Sequence, residues 1–369
     1  MKTDFFNLTL TELGDVLVGL GYSPRHGASL YGAIYKGRGL EDLANYPAVP
    51  MGFVDRLGDV LSFSELTAES IHVSRYDRSV KFLVALPDNN AVEAVLIPED
   101  GRLTLCLSSQ VGCAQACSFC YTGRMGLKRN LTPGEIVGQV QLASRWVQHH
   151  PDWVKDLGFS IPLRITNLVF MGMGEPLDNV DAVSTAIAIL TEQLGLAIGL
   201  RKISVSTAGH LDGLKMLLQR YPNVSLALSL HATTDRERSQ LMPINRRWPM
   251  REVLDHLRHH HAAHAVNRTI LIQYTLIRGV NDSLDHAERL ADLLRDLPVK
   301  VNIIPFNDVA PSRFRNPEPG QLNEFRHYLH QRGLRVMVRY SKGQDIGAAC
   351  GQLVVERQDQ RLSENAINA

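Results

Sequence analysis

Several things that the sequence lacks narrow its possible functions. Its 369 residues contain no apolar run of about 18 residues, the length that a transmembrane helix requires, so we expect no membrane partner. Lys and Arg number 39 against 38 Asp and Glu, so a nucleic acid would have to be bound by local clusters of positive charge. The first 15 residues place acidic side chains around a short apolar stretch, unlike a secretory signal, which favours a cytoplasmic protein.

Cysteine is also scarce, with five residues in the chain. An odd number in a large chain without a secretory signal does not indicate a disulfide framework. Each cysteine therefore needs its own explanation.

The apolar runs of the chain predict an α/β fold. Strand-like runs begin at SIHVSRYD, VKFLVALP, AVEAVLIPE and LTLCLSS and continue with TNLVFMG, RKISVSTA, VSLALSLH, TILIQYTLI and VKVNIIPF. Helical patterns near 133–148, 181–194, 210–220, 249–264 and 284–296 separate the later runs, and a last helix and strand are expected near 321–338. Continuous apolar strands that alternate with helices are typical of a parallel sheet covered by helices. We predict a partial or complete (β/α) barrel with its active site at the carboxyl ends of the strands.

Changes in pattern divide the chain into four predicted parts. Residues 1–70 are expected to form a small helical accessory domain, and residues 71–102 a β-rich extension. Residues 103–340 are expected to form the barrel. Residues 341–369 are a C-terminal segment that ends in the polar run ERQDQRLSENAINA.

The most specific motif is GCAQACSFCYTG, which spaces Cys113, Cys117 and Cys120 as C-x3-C-x2-C on a loop after a strand. This spacing arises by chance in about one sequence per thousand of this composition. Three neighbouring thiolates suit an iron–sulfur cluster, and three ligands on four irons leave one iron open. A structural zinc ion is the alternative, but it needs a fourth ligand, and His149 lies far along a helix.

At this loop the chain resembles the radical S-adenosylmethionine superfamily, and the resemblance extends further. TLCLSSQVGCAQACSFCYTGRMGLKRNLTPGEIVGQ, NLVFMGMGEPLDNV, SLHATTDRERSQLMPIN, LIRGVNDS and DIGAACGQL are similar to the RlmN/Cfr family of RNA adenine methyltransferases. The resemblance implies a barrel of radical S-adenosylmethionine type and a [4Fe-4S] cluster on the three cysteines. It also implies S-adenosylmethionine on the open iron and an electron donor such as flavodoxin or ferredoxin.

The activity implied by the resemblance is methylation of an adenine at carbon-2 in 23S ribosomal RNA, transfer RNA or both. Methylation at carbon-8 is an alternative within the same family. A radical enzyme with a non-RNA substrate and a non-catalytic iron–sulfur protein that binds RNA are alternatives from other classes. The pair of cysteines outside the cluster motif favours the methyltransferase, because the other two classes do not need it.

The resemblance also assigns catalytic roles to three residues. Cys350 matches the methyl carrier, which takes a methyl group from S-adenosylmethionine, and a carbon radical formed on that group adds to the adenine. Cys106 matches the thiol that resolves the resulting crosslink, and Glu93 matches the acceptor of the ring proton. From pattern alone, Cys106 could equally be a buried apolar side chain and Glu93 an exposed strand carboxylate.

A cofactor pocket is expected where GMGEP follows the strand TNLVFM. Gly174 would let the backbone approach a ligand closely, and the carboxylate of Glu175 could hold the methionine ammonium group. The resemblance adds further cofactor contacts after later strands: Ser206, Ser229, Leu230, His231 and Asn307.

RNA contacts are expected from clusters of basic residues, and the resemblance implies an RNA-binding role for residues 1–70. The clusters are Arg75, Arg78 and Lys81; Arg124, Lys128 and Arg129; and Arg236, Arg238, Arg246 and Arg247. For any single member, a solvated surface charge is the plainer interpretation. The stretch SPRHGASLYGAIYKGRGLEDL departs from the family pattern, so it bears on substrate choice more than on chemistry.

Overall fold

The first part of the chain is a helical unit with an aromatic core. The computed structural model describes residues 2–36, 50, 52–158, 160–264, 268–307 and 312–349. The unit comprises β1 (Thr3–Asp4), α1 (Leu10–Gly19), α2 (Arg25–Tyr35), α3 (Phe53–Val60) and β2 (Leu61–Ser62), which pairs with β1. The rings of Phe5, Tyr31 and Tyr35 pack with centroids 4.7–5.7 Å apart. Asn7 Oδ1 accepts a hydrogen bond from Gly134 N–H, so the unit is joined to the barrel.

Strands account for most of the remaining frame. They are β3 (Thr67–Val73), β4 (Val80–Ala85), β5 (Ala91–Glu99), β6 (Arg102–Cys106), β7 (Gln110–Gly112), β8 (Leu127–Asn130), β9 (Asn167–Phe170), β10 (Ile203–Thr207), β11 (Ser225–Ser229), β12 (Ile270–Leu276), β13 (Val299–Pro305) and β14 (Arg335–Val338). Ten of them form one sheet in the order β14-β13-β12-β11-β10-β9-β6-β5-β4-β3. Strands β3 to β6 pair antiparallel, whereas β6 and β9 to β14 are parallel.

Helices connect the parallel strands. They are α4 (Tyr121–Arg124), α5 (Pro133–His149), α6 (Val180–Thr191), α7 (Leu211–Arg220), α8 (Asp235–Leu241), α9 (Met250–His264), α10 (Leu284–Leu294) and α11 (Pro319–Gln331). Local sequence explains their starts: Thr132 and Glu135 form a capping box at α5, and Ser283 caps α10. Within the described ranges, no helix is long and apolar enough to cross a membrane.

The strand register places a row of side chains on the inner face of the sheet. Lys81 pairs with Val95, Val95 with Cys106, and Cys106 with Val169, and paired residues project to the same face. Glu93 lies two residues from Val95, so it shares that face. The same face continues across the parallel strands to Ser206, Ser229 and Gln273.

The predicted α/β barrel is confirmed, and it is partial, because in the described part of the chain no pairing joins β14 to β3. The β7–β8 hairpin and α4 lie where the sequence predicted only a loop. The antiparallel strands of residues 71–102 continue the barrel sheet without a break, because β5 pairs with β6. The division into four functional parts stays a prediction.

Candidate active site

A cavity opens at the carboxyl ends of the parallel strands, and it holds about 1150 Å³ of space including its open mouth. Its lining includes Cys113, Cys117 and Cys120. Six of the seven predicted cofactor contacts also line it: Gly174, Glu175, Ser206, Ser229, His231 and Asn307. The seventh, Leu230, is fully buried, and its backbone N–H donates to Gln273 O at 3.0 Å.

Backbone hydrogen bonds hold both ends of the cysteine loop. Cys113 N–H donates to Gly126 O, and Cys120 N–H donates to Cys117 O, both at 3.0 Å. Burial raises the pKa of the Cys113 thiol to about 12 and also raises that of Cys117. Thiols that burial keeps protonated become good ligands when a metal supplies the positive charge that the thiolates need. The loop therefore fits an iron–sulfur cluster.

A zinc site fits the loop less well. Among the side chains that the structure describes, no three of His, Cys, Asp and Glu converge on one metal position. A zinc ion needs its ligands around a single centre, whereas the thiolates of a four-iron cluster each bind a different iron. The candidate fourth ligand, His149, is exposed at the end of α5, with Nδ1 2.7 Å from Arg145 O.

Glu175 lies on the cavity wall directly after β9 and its turn. Gly174 makes this turn possible, because it has φ +99° and a Cβ atom there would lie 2.5 Å from Gln110 Cβ. The carboxylate of Glu175 accepts hydrogen bonds from the N–H groups of Ala208 and Leu177, at 2.7 and 3.1 Å. Burial raises its pKa to about 7, against the opposing effect of these donors. A carboxylate has capacity for further donors, so it can still bind an ammonium group.

Gln273 organises the two predicted serines. Its Oε1 accepts hydrogen bonds from Ser206 Oγ at 3.2 Å and from Ser229 Oγ at 3.0 Å. The glutamine lies on β12 and lines the cavity itself. Sequence reasoning missed it, although a single amide within the apolar run TILIQYTLI was a signal of an inward polar position.

His231 is a buried neutral base with a fixed tautomer. Its Nδ1 accepts a hydrogen bond from Thr275 N–H at 2.8 Å, so the ring proton is on Nε2. Burial, with a smaller contribution from the positive charge of Arg238, lowers its pKa to about 3. Its backbone has φ +58°, a strained conformation that Asn281 stabilises by donating to His231 O at 2.8 Å.

The C-terminal segment packs against the cavity mouth. Asn307 Nδ2 donates to Ser341 Oγ at 2.6 Å, and Gln344 Nε2 donates to Asn307 Oδ1 at 3.2 Å. Gly343 N–H donates to Asp77 Oδ2 at 2.9 Å, in the turn between β3 and β4. These contacts join the segment to both ends of the sheet.

Two of the predicted catalytic residues lie on the inner face, and the third lies outside the described residues. Glu93 Oε1 is 3.3 Å from Lys81 Nζ, and both side chains are almost fully buried. A Cβ atom added to Gly347 would lie 3.5 Å from Lys81 Nζ, so the C-terminal segment reaches this pair. The described chain ends at the buried Ala349, directly before Cys350.

Three of the basic residues predicted to contact RNA are either buried or paired with carboxylates of the protein. Lys81 is 3% exposed and Arg238 is 1% exposed, so neither can reach a phosphate. Arg129 forms a fork on Glu135, with both distances 2.8 Å, and its Nε lies 2.6 Å from Asp88. The prediction was wrong for the two buried residues, because strand register and helix packing turn them inward.

Comparisons with known proteins agree with this geometry. A family model of the radical SAM superfamily matches residues 152–294, which begin after the cysteine loop. The chain is similar to the dual-specificity RNA methyltransferase RlmN of Pelobacter propionicus, with 41% identity over 95% of this chain and 96% of that protein. The enzyme of the same name from Geobacter sulfurreducens is 42% identical over 95% of this chain and 91% of that protein. The crystal structure of a radical SAM methyltransferase from Sphaerobacter thermophilus has a TM-score of 0.86 and 37% identity, and covers 95% of this chain and 99% of that one.

Proposed function

Because the chain belongs to the RlmN family of radical S-adenosylmethionine RNA methyltransferases, we propose that it methylates carbon-2 of an adenine through an S-methylcysteine on Cys350. The family uses a [4Fe-4S] cluster and S-adenosylmethionine, and the cysteine loop and cavity fit both. The name of the relatives, dual-specificity RNA methyltransferase, supports two kinds of RNA substrate, and we propose that these are 23S ribosomal RNA and transfer RNA.

The cavity divides the binding of these groups between its walls. When bound, the cluster and S-adenosylmethionine supply an electron, an organic radical and the methyl group. Cys113, Cys117 and Cys120 would ligate the cluster. On the strand ends, the carboxylate of Glu175 would hold the ammonium group, while Ser206 and Ser229 remain oriented by Gln273.

The observation that carries the proposal is the shared inner face of Glu93 and Cys106. Strand register sets both on the face that leads to the cavity, and Lys81 links Glu93 to the segment that precedes Cys350. A buried carboxylate and a buried thiol in one row suit a reaction that needs a proton acceptor and a second sulfur.

The proposed steps balance in protons and bonds. Cys350 carries the methyl group as a thioether. One hydrogen atom of this methyl group would leave to the organic radical, its carbon then becomes bonded to adenine carbon-2, and one electron would leave the adduct for the cluster. Glu93 then accepts the proton that leaves carbon-2. The thiolate of Cys106 attacks the Cys350 sulfur, so an S–S bond forms as the bond from that sulfur to the product carbon breaks, and this carbon takes up a proton to complete the methyl group.

The proposed partners follow from the same assignment. Ribosomal and transfer RNA substrates place the reaction in the cytoplasm. A one-electron donor such as flavodoxin or ferredoxin would reduce the cluster. We assign residues 1–70 to RNA binding, as the resemblance to the family implies. This unit is joined to the barrel through Asn7 and the first turn of α5.

Mass spectrometry of RNA nucleosides tests the proposal. Ribosomal and transfer RNA from cells that lack the gene are compared with RNA from cells complemented with the native or the Cys350→Ala protein. We expect 2-methyladenosine to be lost on deletion and restored only by the native protein. Restoration of 8-methyladenosine instead would assign the carbon-8 reaction, and restoration by Cys350→Ala would exclude the S-methylcysteine route.

A further inference from the structure

Arg238 on α8 is a buried cation that joins the ends of two barrel strands. Its guanidinium donates to Ala208 O after β10 and to Ser229 O and Leu230 O at the end of β11, at 2.5–3.1 Å. A fourth bond goes to Asn245 Oδ1 at 2.9 Å. Since Ala208 N–H also donates to Glu175, the arginine holds the backbone behind three of the predicted cofactor contacts.

The same helix also holds the cysteine loop. Ser118 lies between two cluster cysteines, and its N–H donates to Leu241 O at the end of α8, at 2.9 Å. The Ser118 hydroxyl donates to the same carbonyl at 3.3 Å. One helix of seven residues therefore contacts the cysteine loop at its last residue and the strand ends through Arg238.

The positive charge of Arg238 has no ion-pair partner among the described residues. Its four acceptors are carbonyl and amide oxygens, which carry no net charge. Ala208 and Ser229, whose carbonyl groups accept its hydrogen bonds, line the cavity together with Cys117. The carboxyl groups of Asp235 and Glu175 act on this charge without direct contact. Burying a cation without a direct ion pair is costly, so a further negative charge is expected to enter this site.

We propose that Arg238 is a positioning residue with two effects, namely alignment of the strand ends that bind S-adenosylmethionine and stabilisation of the reduced cluster by its fixed charge. A cluster gains one negative charge on reduction, and a cation in a low-dielectric site favours that form. The inference rests on the cluster and cofactor of the family and is independent of carbon-2 chemistry.

Two substitutions separate the effects. Arg238→Lys keeps the positive charge but loses the guanidinium hydrogen bonds to the strand ends, whereas Arg238→Gln loses the charge as well. The exposed Arg236, on the same helix, supplies the matched control Arg236→Gln. Each protein is reconstituted without oxygen, and three quantities are measured without RNA: the midpoint potential, the Kd for S-adenosylmethionine by equilibrium dialysis, and the thermal midpoint of the apoprotein.

We expect Arg238→Gln to lower the midpoint potential and to weaken S-adenosylmethionine binding by about tenfold or more. Arg238→Lys should weaken binding by a similar factor but keep a potential close to that of Arg236→Gln. A purely structural role would lower the thermal midpoint in both variants without moving the potential, and would overturn the proposal. Equal potentials for the Lys and Gln variants would refute the charge effect, and native Kd values would refute the alignment. If Arg238→Gln does not bind the cluster, Arg238→Lys still tests the proposal. Its Kd for S-adenosylmethionine must rise while its midpoint potential stays at that of Arg236→Gln.

Discussion

Lys81 Nζ lies 3.3 Å from Glu93 Oε1, and this ion pair is buried on the inner face of the sheet. The two residues lie on neighbouring antiparallel strands, and Lys81 also approaches Gly347 in the C-terminal segment. The pair thus connects a proposed proton acceptor with the segment that leads to the proposed methyl carrier. Ion pairs buried to this degree are held by their mutual attraction, and each partner depends on the other.

Removing one partner of this pair should be costly. Lys81→Met leaves the Glu93 carboxylate buried without its cation, which costs about 3–5 kcal/mol of unfolding free energy. Combining it with Glu93→Leu should recover most of the loss, because no charge is then buried, but it should not restore methyl transfer. Urea denaturation measures the first effect, and single-turnover methylation measures the second.

Lys128→Met, at an exposed lysine, is the control for the urea denaturation alone, and we expect a change in unfolding free energy within about 0.5 kcal/mol. If Lys81→Met destabilised the protein no more than Lys128→Met, the pair would not be a coupled buried unit. If the double variant methylated RNA at the native rate, Glu93 would not be the proton acceptor.

Cys106→Ala should trap the enzyme on its RNA. The thiol is buried, and Cys106 pairs with Val95, which lies two residues from Glu93 on the neighbouring strand. In the proposed steps this thiol releases the product from Cys350. Without it, a covalent protein–RNA adduct should accumulate, visible on a denaturing gel and in the intact mass. Cys106→Ala combined with Cys350→Ala should form no adduct. Normal turnover by Cys106→Ala alone would show that Cys106 serves only in packing.

Binding of S-adenosylmethionine should depend on pH through Glu175. Burial raises its pKa to about 7, so the carboxyl is neutral below that pH and cannot pair with an ammonium group. Affinity should therefore rise by up to about tenfold per pH unit as the pH increases towards 7, and then level off. The same raised pKa affects folding stability. The Glu175 carboxyl contributes fully to the unfolding free energy below its ordinary pKa, and this contribution is lost as the pH rises through 7. Equilibrium dialysis from pH 5.5 to 8.5 tests the binding, and Glu175→Gln should bind weakly at every pH. A native protein with a flat profile would contradict the role.

Gln273→Leu should weaken cofactor binding by releasing two hydroxyl groups. Ser206 and Ser229 both donate to its amide oxygen, and loss of these bonds is worth about 1–2 kcal/mol, or roughly 5- to 30-fold in Kd. The same dialysis assay measures the change, with Gln219→Leu at an exposed glutamine of α7 as the matched control. Equal Kd values for the two variants would show that Gln273 only fills space.

The sequence predicted the elements of this fold better than its inward polar positions. Apolar runs such as VSLALSLH mark buried strands directly, because continuous burial on both faces of a parallel sheet needs apolar residues. The lysine of VKFLVALP has no such marker. Only the pairing of Lys81 with Val95 reveals that it faces inward, and pairing between strands is not encoded in the pattern of one strand.

The candidate site shows the same division. The three cysteines could be found from their spacing, and Gly174 and Glu175 from their place after a strand. Arg238 could not, because it stands in the charged run DRERSQ, where a surface position is the ordinary interpretation. Its burial depends on carbonyl groups from β10 and β11, which are distant in sequence.

The grip on RNA phosphates should come from Arg124 and Lys128 and not from Arg129. Arg124 and Lys128 are exposed beside the cysteine loop, where Arg124 donates to Ser118 O at 3.3 Å and Lys128 to Asn90 Oδ1 at 3.4 Å. The guanidinium of Arg129, in contrast, is held by the carboxylates of Glu135 and Asp88. Each phosphate contact contributes about 0.7–0.9 to the slope of log affinity against log salt, so Arg124→Ala combined with Lys128→Ala should flatten the slope by about 1.5. Arg129→Ala should leave the slope unchanged but reduce the unfolding free energy by about 2 kcal/mol.

The pH dependence of stability tests whether Arg129 stabilises the fold instead of binding RNA. The hydrogen bond from Arg129 holds the pKa of the Asp88 carboxyl well below its usual range. A lowered pKa in the folded state stabilises the protein above the ordinary pKa of 3.8, and the contribution is lost as the pH falls towards the folded value. The stability difference between the native protein and Arg129→Ala should therefore be constant near neutral pH and shrink below about pH 4. Urea denaturation at several pH values measures this difference, and fluorescence titration with RNA at several salt concentrations measures the slope. If Arg129→Ala flattened the slope as much as Lys128→Ala, the guanidinium would be exchanging its carboxylates for phosphate when RNA binds.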